Sequence, residues 1–145
     1  MNMYRVYTDG SSNGKKGFGG CAAIITKDMK TGVLITRFIG KEIGNNYAEV
    51  CAVYIALEYL PAQSSIALFT DSQNVIGWLE KNWNRTDKDI NLIVSRTLQL
   101  QQKKDIKITY HWVKGHSTNP YNNWCDKAAK EARHSGVGKT KEIQL

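Results

Sequence analysis

From Met3 to Asp9 the chain is β-branched and aromatic, and it breaks into the polar run Gly10-Ser11-Ser12-Asn13-Gly14. That pattern predicts a strand ending near Asp9, with a turn after it. Gly19 to Lys27 (GGCAAIITK) and Val33 to Gly40 (VLITRFIG) read as two more strands, joined at Lys30-Thr31-Gly32. Connections this short imply an antiparallel meander, because a parallel pair needs a crossover of a dozen or more residues.

The period then changes. Asn46 to Leu60 (NYAEVCAVYIALEYL) reads as a helix, and Pro61 stops it. Glu49, Val53, Ala56 and Leu60 recur at helical spacing, so Glu49 begins the apolar stripe that faces the sheet. Glu58 falls on the opposite side and reads as a solvated acid. Ser65 to Thr70 (SIALFT) is a fourth strand, with Asp71 at its end. Asp71 or Ser72 caps a helix running roughly to Trp83. A further helix spans about Asp89 to Lys103, with Ile90, Ile93, Val94, Thr97, Leu98 and Gln101 along one side. Ile106 to Val113 (IKITYHWV) is the fifth strand, Lys114 to Asn123 a polar loop, and Asn123 to His134 a last helix stopped by Gly136.

The order βββαβααβα describes an α/β domain with a five-stranded mixed sheet flanked by helices, three strands antiparallel and two parallel. The helix after the third strand makes a crossover, so the fourth strand runs parallel to the first. One domain is expected over residues 1–137, and the Lys-rich segment 138–145 is expected to be a mobile tail.

The chain has 145 residues, 41% hydrophobic and 23% charged, enough to bury one core. No apolar run approaches the ~20 residues of a membrane span, and the N-terminus lacks a signal-peptide stretch. Three dispersed cysteines, Cys21, Cys51 and Cys125, argue against a disulfide framework or a structural zinc site. They fit buried thiols in a reducing cytoplasm. A net charge of +7 fits a polyanionic partner, and it equally fits solubilising lysines.

The acids discriminate. Two neighbouring parallel strands that end together bring Asp9 and Asp71 to one sheet edge. Glu49 arrives from the inner face of the first helix, and Asp126 from one turn into the last. Singly, each has an ordinary explanation as a turn residue, a cap or a dipole partner. Together, with no evident basic partner, they would repel unless a cation lay among them. Oxygen-only ligands suit Mg²⁺ or Mn²⁺ rather than zinc.

Thr8-Asp9-Gly10-Ser11, Asn45-Asn46-Tyr47-Ala48-Glu49, Thr70-Asp71-Ser72-Gln73, Trp112-Val113-Lys114-Gly115-His116-Ser117 and Asn123-Trp124-Cys125-Asp126 together resemble type 1 ribonuclease H. Each motif is weak alone, but the five stand in the family's order across residues 8–126. The resemblance implies a ribonuclease H-like fold that cuts the RNA strand of RNA–DNA hybrids with two Mg²⁺ ions, leaving 5′-phosphate and 3′-hydroxyl ends. Mn²⁺ is an expected substitute. Asp9 would bridge both ions, Glu49 and Asp71 would complete the site near the leaving group, and Asp126 would help hold the ion that activates water. His116 matches a mobile histidine linked to proton movement and product departure. Asn45, Asn46 and Gln73, with Ser12 beside them, match groups on the hybrid's minor-groove edges and sugars, where the 2′-hydroxyl distinguishes RNA.

Three departures stand out. Only Asn84 to Lys88 lies between Trp83 and Asp89, so the chain looks like the members without a basic handle. Gly44 stands where many members have a threonine contacting a DNA phosphate, and no separate hybrid-binding domain is expected before residue 1. Phosphate contacts are therefore expected from scattered groups such as Lys81, Arg85, Lys88 and Lys114. Of Trp78 and Trp83, one is expected in the core, and His111 is expected to be structural. The expected protein is a stand-alone cytoplasmic monomer whose partner is the hybrid, with no membrane and no obligate protein partner. A related nuclease on the same fold, or a module that binds hybrids without cutting, are the competing readings. Retention of all four acids speaks against the second.

Overall fold

A computed structural model describes residues 2–13, 17–114 and 119–145. Its centre is a six-stranded sheet in the order β5-β4-β1-β2-β3-β6. β1 (Met3–Ser12), β2 (Gly19–Thr26) and β3 (Thr31–Ile39) form the antiparallel meander. β4 (Ser65–Thr70) lies parallel to β1, and β5 (Lys107–Trp112) parallel to β4.

The pleat sends alternate side chains to two cores. Val6 faces the core shared with α1 (Asn45–Tyr59) and α3 (Lys88–Lys104), whereas its neighbour Tyr7 faces the core shared with α4 (Pro120–Ser135). Every residue of β2 is buried, as expected for a strand covered on both faces. α1 is buried on almost every side because α3 covers the face turned away from the sheet. Its last carbonyls are capped by a distant cation: Lys104 Nζ donates to the carbonyls of Leu57 (2.7 Å), Glu58 (2.8 Å) and Leu60 (2.7 Å). No helix among the described residues is long and apolar enough to cross a membrane.

Four expectations need correction. β1 does not end near Asp9: Ser11 and Ser12 continue the ladder opposite Gly20 and Gly19. α2 (Gln73–Leu79) stops before Trp83, whose backbone N–H turns back to the Gly77 carbonyl (2.9 Å) and whose ring lies against Gly77. α4 begins at Pro120 rather than Asn123. Asn119 accepts from the amides of Tyr121 and Asn122, and proline at the first helical turn loses no intrahelical bond.

The segment expected to be a mobile tail holds a sixth strand, β6 (Lys139–Gln144), antiparallel to β3. Gly136, in the left-handed region at φ 72°, ends α4 and lets the chain reverse. Ile143 is the one buried residue of β6, so an otherwise polar strand is anchored at a single apolar point. The sheet is therefore mixed as expected, with six strands instead of five.

Between α2 and α3 the chain carries no helix. Trp78 packs against the core and Trp83 is exposed, so only one tryptophan of the pair is interior.

Candidate active site

Asp9 and Asp71 stand on parallel neighbours, β1 and the end of β4, and Glu49 comes from the first turns of α1. An oxygen from each of the three lies within 4.8 Å of the other two. Asp9 is 6% exposed and Glu49 9%. One amide ties two of them: Gly10 N–H donates to Asp9 Oδ1 (2.9 Å) and to Glu49 Oε1 (2.5 Å). Glycine is required there by close approach, since a Cβ on Gly10 would lie 2.2 Å from the Ala48 carbonyl carbon. Trp112 Nε1 holds the Asp71 backbone through its carbonyl (3.2 Å).

Burial pushes Asp9 up to about 7, and the charges of Asp71 and Asp126 act in the same direction. Burial also pushes Glu49 well above the carboxylate range, reinforced by its hydrogen bond with Asp9 and that neighbour's charge. A desolvated cluster of this kind holds a proton unless a cation replaces it. Three oxygen donors with no thiol or imidazole in the trio form a set for a hard divalent ion.

Asp126 lines the same open cleft, of about 360 Å³, but stands outside the tight trio. The expectation that no cation faces the acids is corrected here: Lys130 Nζ lies 3.1 Å from Asp126 Oδ2, one turn along α4. α4 reaches the cleft because it touches the sheet at Gly20, where a Cβ would lie 2.2 Å from the Ala129 carbonyl oxygen. A larger hollow, about 720 Å³, opens beside Tyr4 and Thr26, at the other ends of β1 and β2, and holds none of the four acids.

Of the expected substrate-contacting residues, the structure joins two. Asn45 Oδ1 accepts from Ser12 N–H (2.9 Å) and Ser12 Oγ (3.0 Å). Asn46, next along α1, accepts from Asn74 Nδ2 (3.3 Å), and Gln73 is exposed as the first residue of α2. Neither Asn46 nor Gln73 lines the cleft wall. His116 lies outside the described residues. His111 stands in a stack with Phe69 (4.8 Å), which continues to Tyr7 and Tyr121. Glu58 is an exposed acid, paired with Arg37 at 2.8 Å. The three cysteines are buried free thiols.

Two residues escaped the sequence reading. Arg133 Nη1 donates to Ser11 Oγ and to the Ser12 carbonyl, both at 2.8 Å, pinning the end of β1. Asn122 is buried in the cleft, and neither of its side-chain polar atoms has a hydrogen-bond partner among the described residues. The signal was present as a helical stripe, Asn122, Asp126, Lys130 and Arg133. Asn122 joins that stripe only when α4 is started at Pro120.

The family model described as RNase H matches residues 1–134. A protein of Acidovorax sp. (strain JS42) named Ribonuclease H is 32% identical over 153 residues, covering 96% of this chain and all of its own length (100%). Among solved structures, RNase H1 from the halophilic archaeon Halobacterium salinarum NRC-1 superposes with a TM-score of 0.74 at 26% identity, covering 92% of this chain and 99% of that one. LC11-RNase H1, solved in complex with an RNA/DNA hybrid, shares the fold at a TM-score of 0.75 and 18% identity, covering 92% and 98%.

Proposed function

The chain belongs to the RNase H family, and from that premise we propose that Asp9, Glu49, Asp71 and Asp126 are the ligands of two divalent ions that serve its reaction. That reaction is endonucleolytic hydrolysis of the RNA strand of an RNA–DNA hybrid. The observation that carries the ligand assignment is the close trio, with two of its acids buried and pushed up by desolvation and no base within it. Mg²⁺ is the ion of choice and Mn²⁺ the substitute, because the donors are all oxygen.

Bound divalent ions supply a water of lowered pKa and charge stabilisation at the phosphate. The chain's own groups do the rest. Asp9 and Glu49, whose burial favours their protonated forms, would hold the ions as carboxylates, and Gly10 N–H keeps their oxygens aligned. Ser12 occupies the Asn45 carbonyl and so turns the Asn45 amide nitrogen, a donor, away from itself toward the substrate side. Asn46 and Gln73, at the starts of α1 and α2, meet base edges and sugars along the minor groove. Lys114, Lys130 and Arg133 line the cleft and balance phosphate charge. His116 assists proton movement and product departure. The protein works as a cytoplasmic monomer and leaves 5′-phosphate and 3′-hydroxyl ends.

The test is one gel comparing an end-labelled RNA–DNA hybrid, double-stranded RNA and single-stranded RNA, each with and without Mg²⁺. RNA-strand cleavage only in the hybrid, and only with Mg²⁺, is expected. Hybrid retention without products, or cutting of single-stranded RNA, would overturn the reading.

A further inference from the structure

We propose that the groove between α4 and β6 binds the phosphate backbone of the RNA strand where it leaves the catalytic cleft, in place of the missing basic handle. This rests on the function proposed above and names a second contact surface for that substrate. The groove, about 470 Å³, is lined by Trp124, Lys127, Glu131, Lys139 and Lys141 over Leu34 and Ala128, and it meets the cleft at Asn123, which lines both.

Strand periodicity builds it. Lys139, Lys141 and Ile143 alternate with Thr140 and Glu142, and Ile143 packs into the core beneath α4. Both lysines therefore share the α4 face, while Glu142 lines the hollow on the other side. The register opposite Leu34 and Thr36 fixes them, and Thr36 Oγ1 accepts the Lys139 backbone N–H at 3.0 Å. From the facing helix comes Lys127, one turn after Asn123.

Several cations outside the groove already have partners. On the side where the handle would stand, Arg85 is bonded to Asn91, Asn82 and the Trp83 carbonyl, and Lys81 lies over the Trp83 ring. Lys41 faces Asp89, and Lys104 caps α1. Lys127, Lys139 and Lys141 are exposed and make no ion pair among the described residues, so their three charges against the single carboxylate of Glu131 leave a positive field beside the cleft. A polyanion lying in the cleft passes the start of this groove at Asn123, and counterion release rewards each phosphate that the lysines neutralise.

The experiment measures binding of a fluorescent RNA–DNA hybrid by anisotropy without divalent metal, across a salt series. It compares the wild type, Lys127→Gln/Lys139→Gln/Lys141→Gln, and a control of equal charge change, Lys30→Gln/Lys103→Gln/Lys107→Gln. Each meets a hybrid long enough to run past α4 and a minimal hybrid filling only the cleft. On the long hybrid the groove variant should bind about tenfold more weakly, with a salt slope reduced by about 2 to 3 units. It should match the wild type on the minimal hybrid, and the control should keep the wild-type slope on both. An unchanged slope, an equal loss on both hybrids, or the same loss in the control would each overturn the groove. Wild-type cleavage is scored in parallel. Its absence would contradict the enzymatic reading, while the binding comparison still decides whether these lysines meet the backbone.

Discussion

Gly10 and Ala48 lie backbone against backbone, so that a Cβ built on the glycine would stand 2.2 Å from the Ala48 carbonyl carbon. This contact lets Asp9 and Glu49 share one amide donor, although 39 residues separate Gly10 from Glu49. Gly10→Ala should force β1 and α1 apart. Overpacking of this kind costs about 1–3 kcal/mol. A fall in thermal midpoint together with loss of Mg²⁺-dependent cleavage is expected from scanning calorimetry and a hybrid assay. Full activity in the variant would show that the acid spacing does not depend on this approach.

The metal-free protein should grow less stable as pH rises. Asp9 has its folded value raised from 3.8 to about 7, and Glu49 is raised as well. A raised acid binds its proton more tightly in the folded chain. Its stabilisation is whole below the unfolded value and is lost as pH climbs through the folded one. The thermal midpoint should therefore decline between about pH 4 and about 7, and Mg²⁺ should restore it most at the upper end. Proton release on metal binding near pH 6 should appear in calorimetry as a buffer-dependent heat. A midpoint that rises with pH in the metal-free protein would reverse the electrostatic account.

The trio was legible because its elements end sharply. Asp71 follows a six-residue apolar strand, and Glu49 sits on a stripe that Pro61 terminates. What was missed follows from two weak signals. β6 buries only Ile143, so its pattern does not separate it from a solvated tail. Asn122 was hidden because the helix was expected from Asn123, past the Asn119 cap and the Pro120 that begin it, and Arg133 because only the fold brings Ser11 and Ser12 to it. The Lys130 partner of Asp126 lies one turn on in the same helix, at the i,i+4 spacing that brings two side chains together.

Arg133→Ala should loosen the end of β1. The side chain donates to both Ser11 Oγ and the Ser12 carbonyl, and a buried acceptor left unpaired costs about 1–3 kcal/mol. A lower thermal midpoint and faster amide exchange at Ser11 and Ser12 are expected. Unchanged protection at these amides would remove Arg133 as the pin.

His116→Ala should lower turnover by roughly 10- to 10³-fold, the range of general acid–base assistance. Mg²⁺ affinity should persist, since the four acids are untouched. Loss of metal binding, measured by titration calorimetry, would make His116 a ligand rather than a proton carrier.

The most direct test is Mg²⁺-dependent cleavage of an end-labelled RNA–DNA hybrid by the wild type and by Asp9→Asn, with folding of both verified by circular dichroism. The wild type should yield RNA fragments with 5′-phosphate and 3′-hydroxyl ends. The variant, missing the buried Asp9 carboxylate of the trio, should be folded, more stable than the wild type without metal, and inactive. Substantial hybrid cleavage by folded Asp9→Asn would contradict the assignment of these carboxylates as the catalytic metal site.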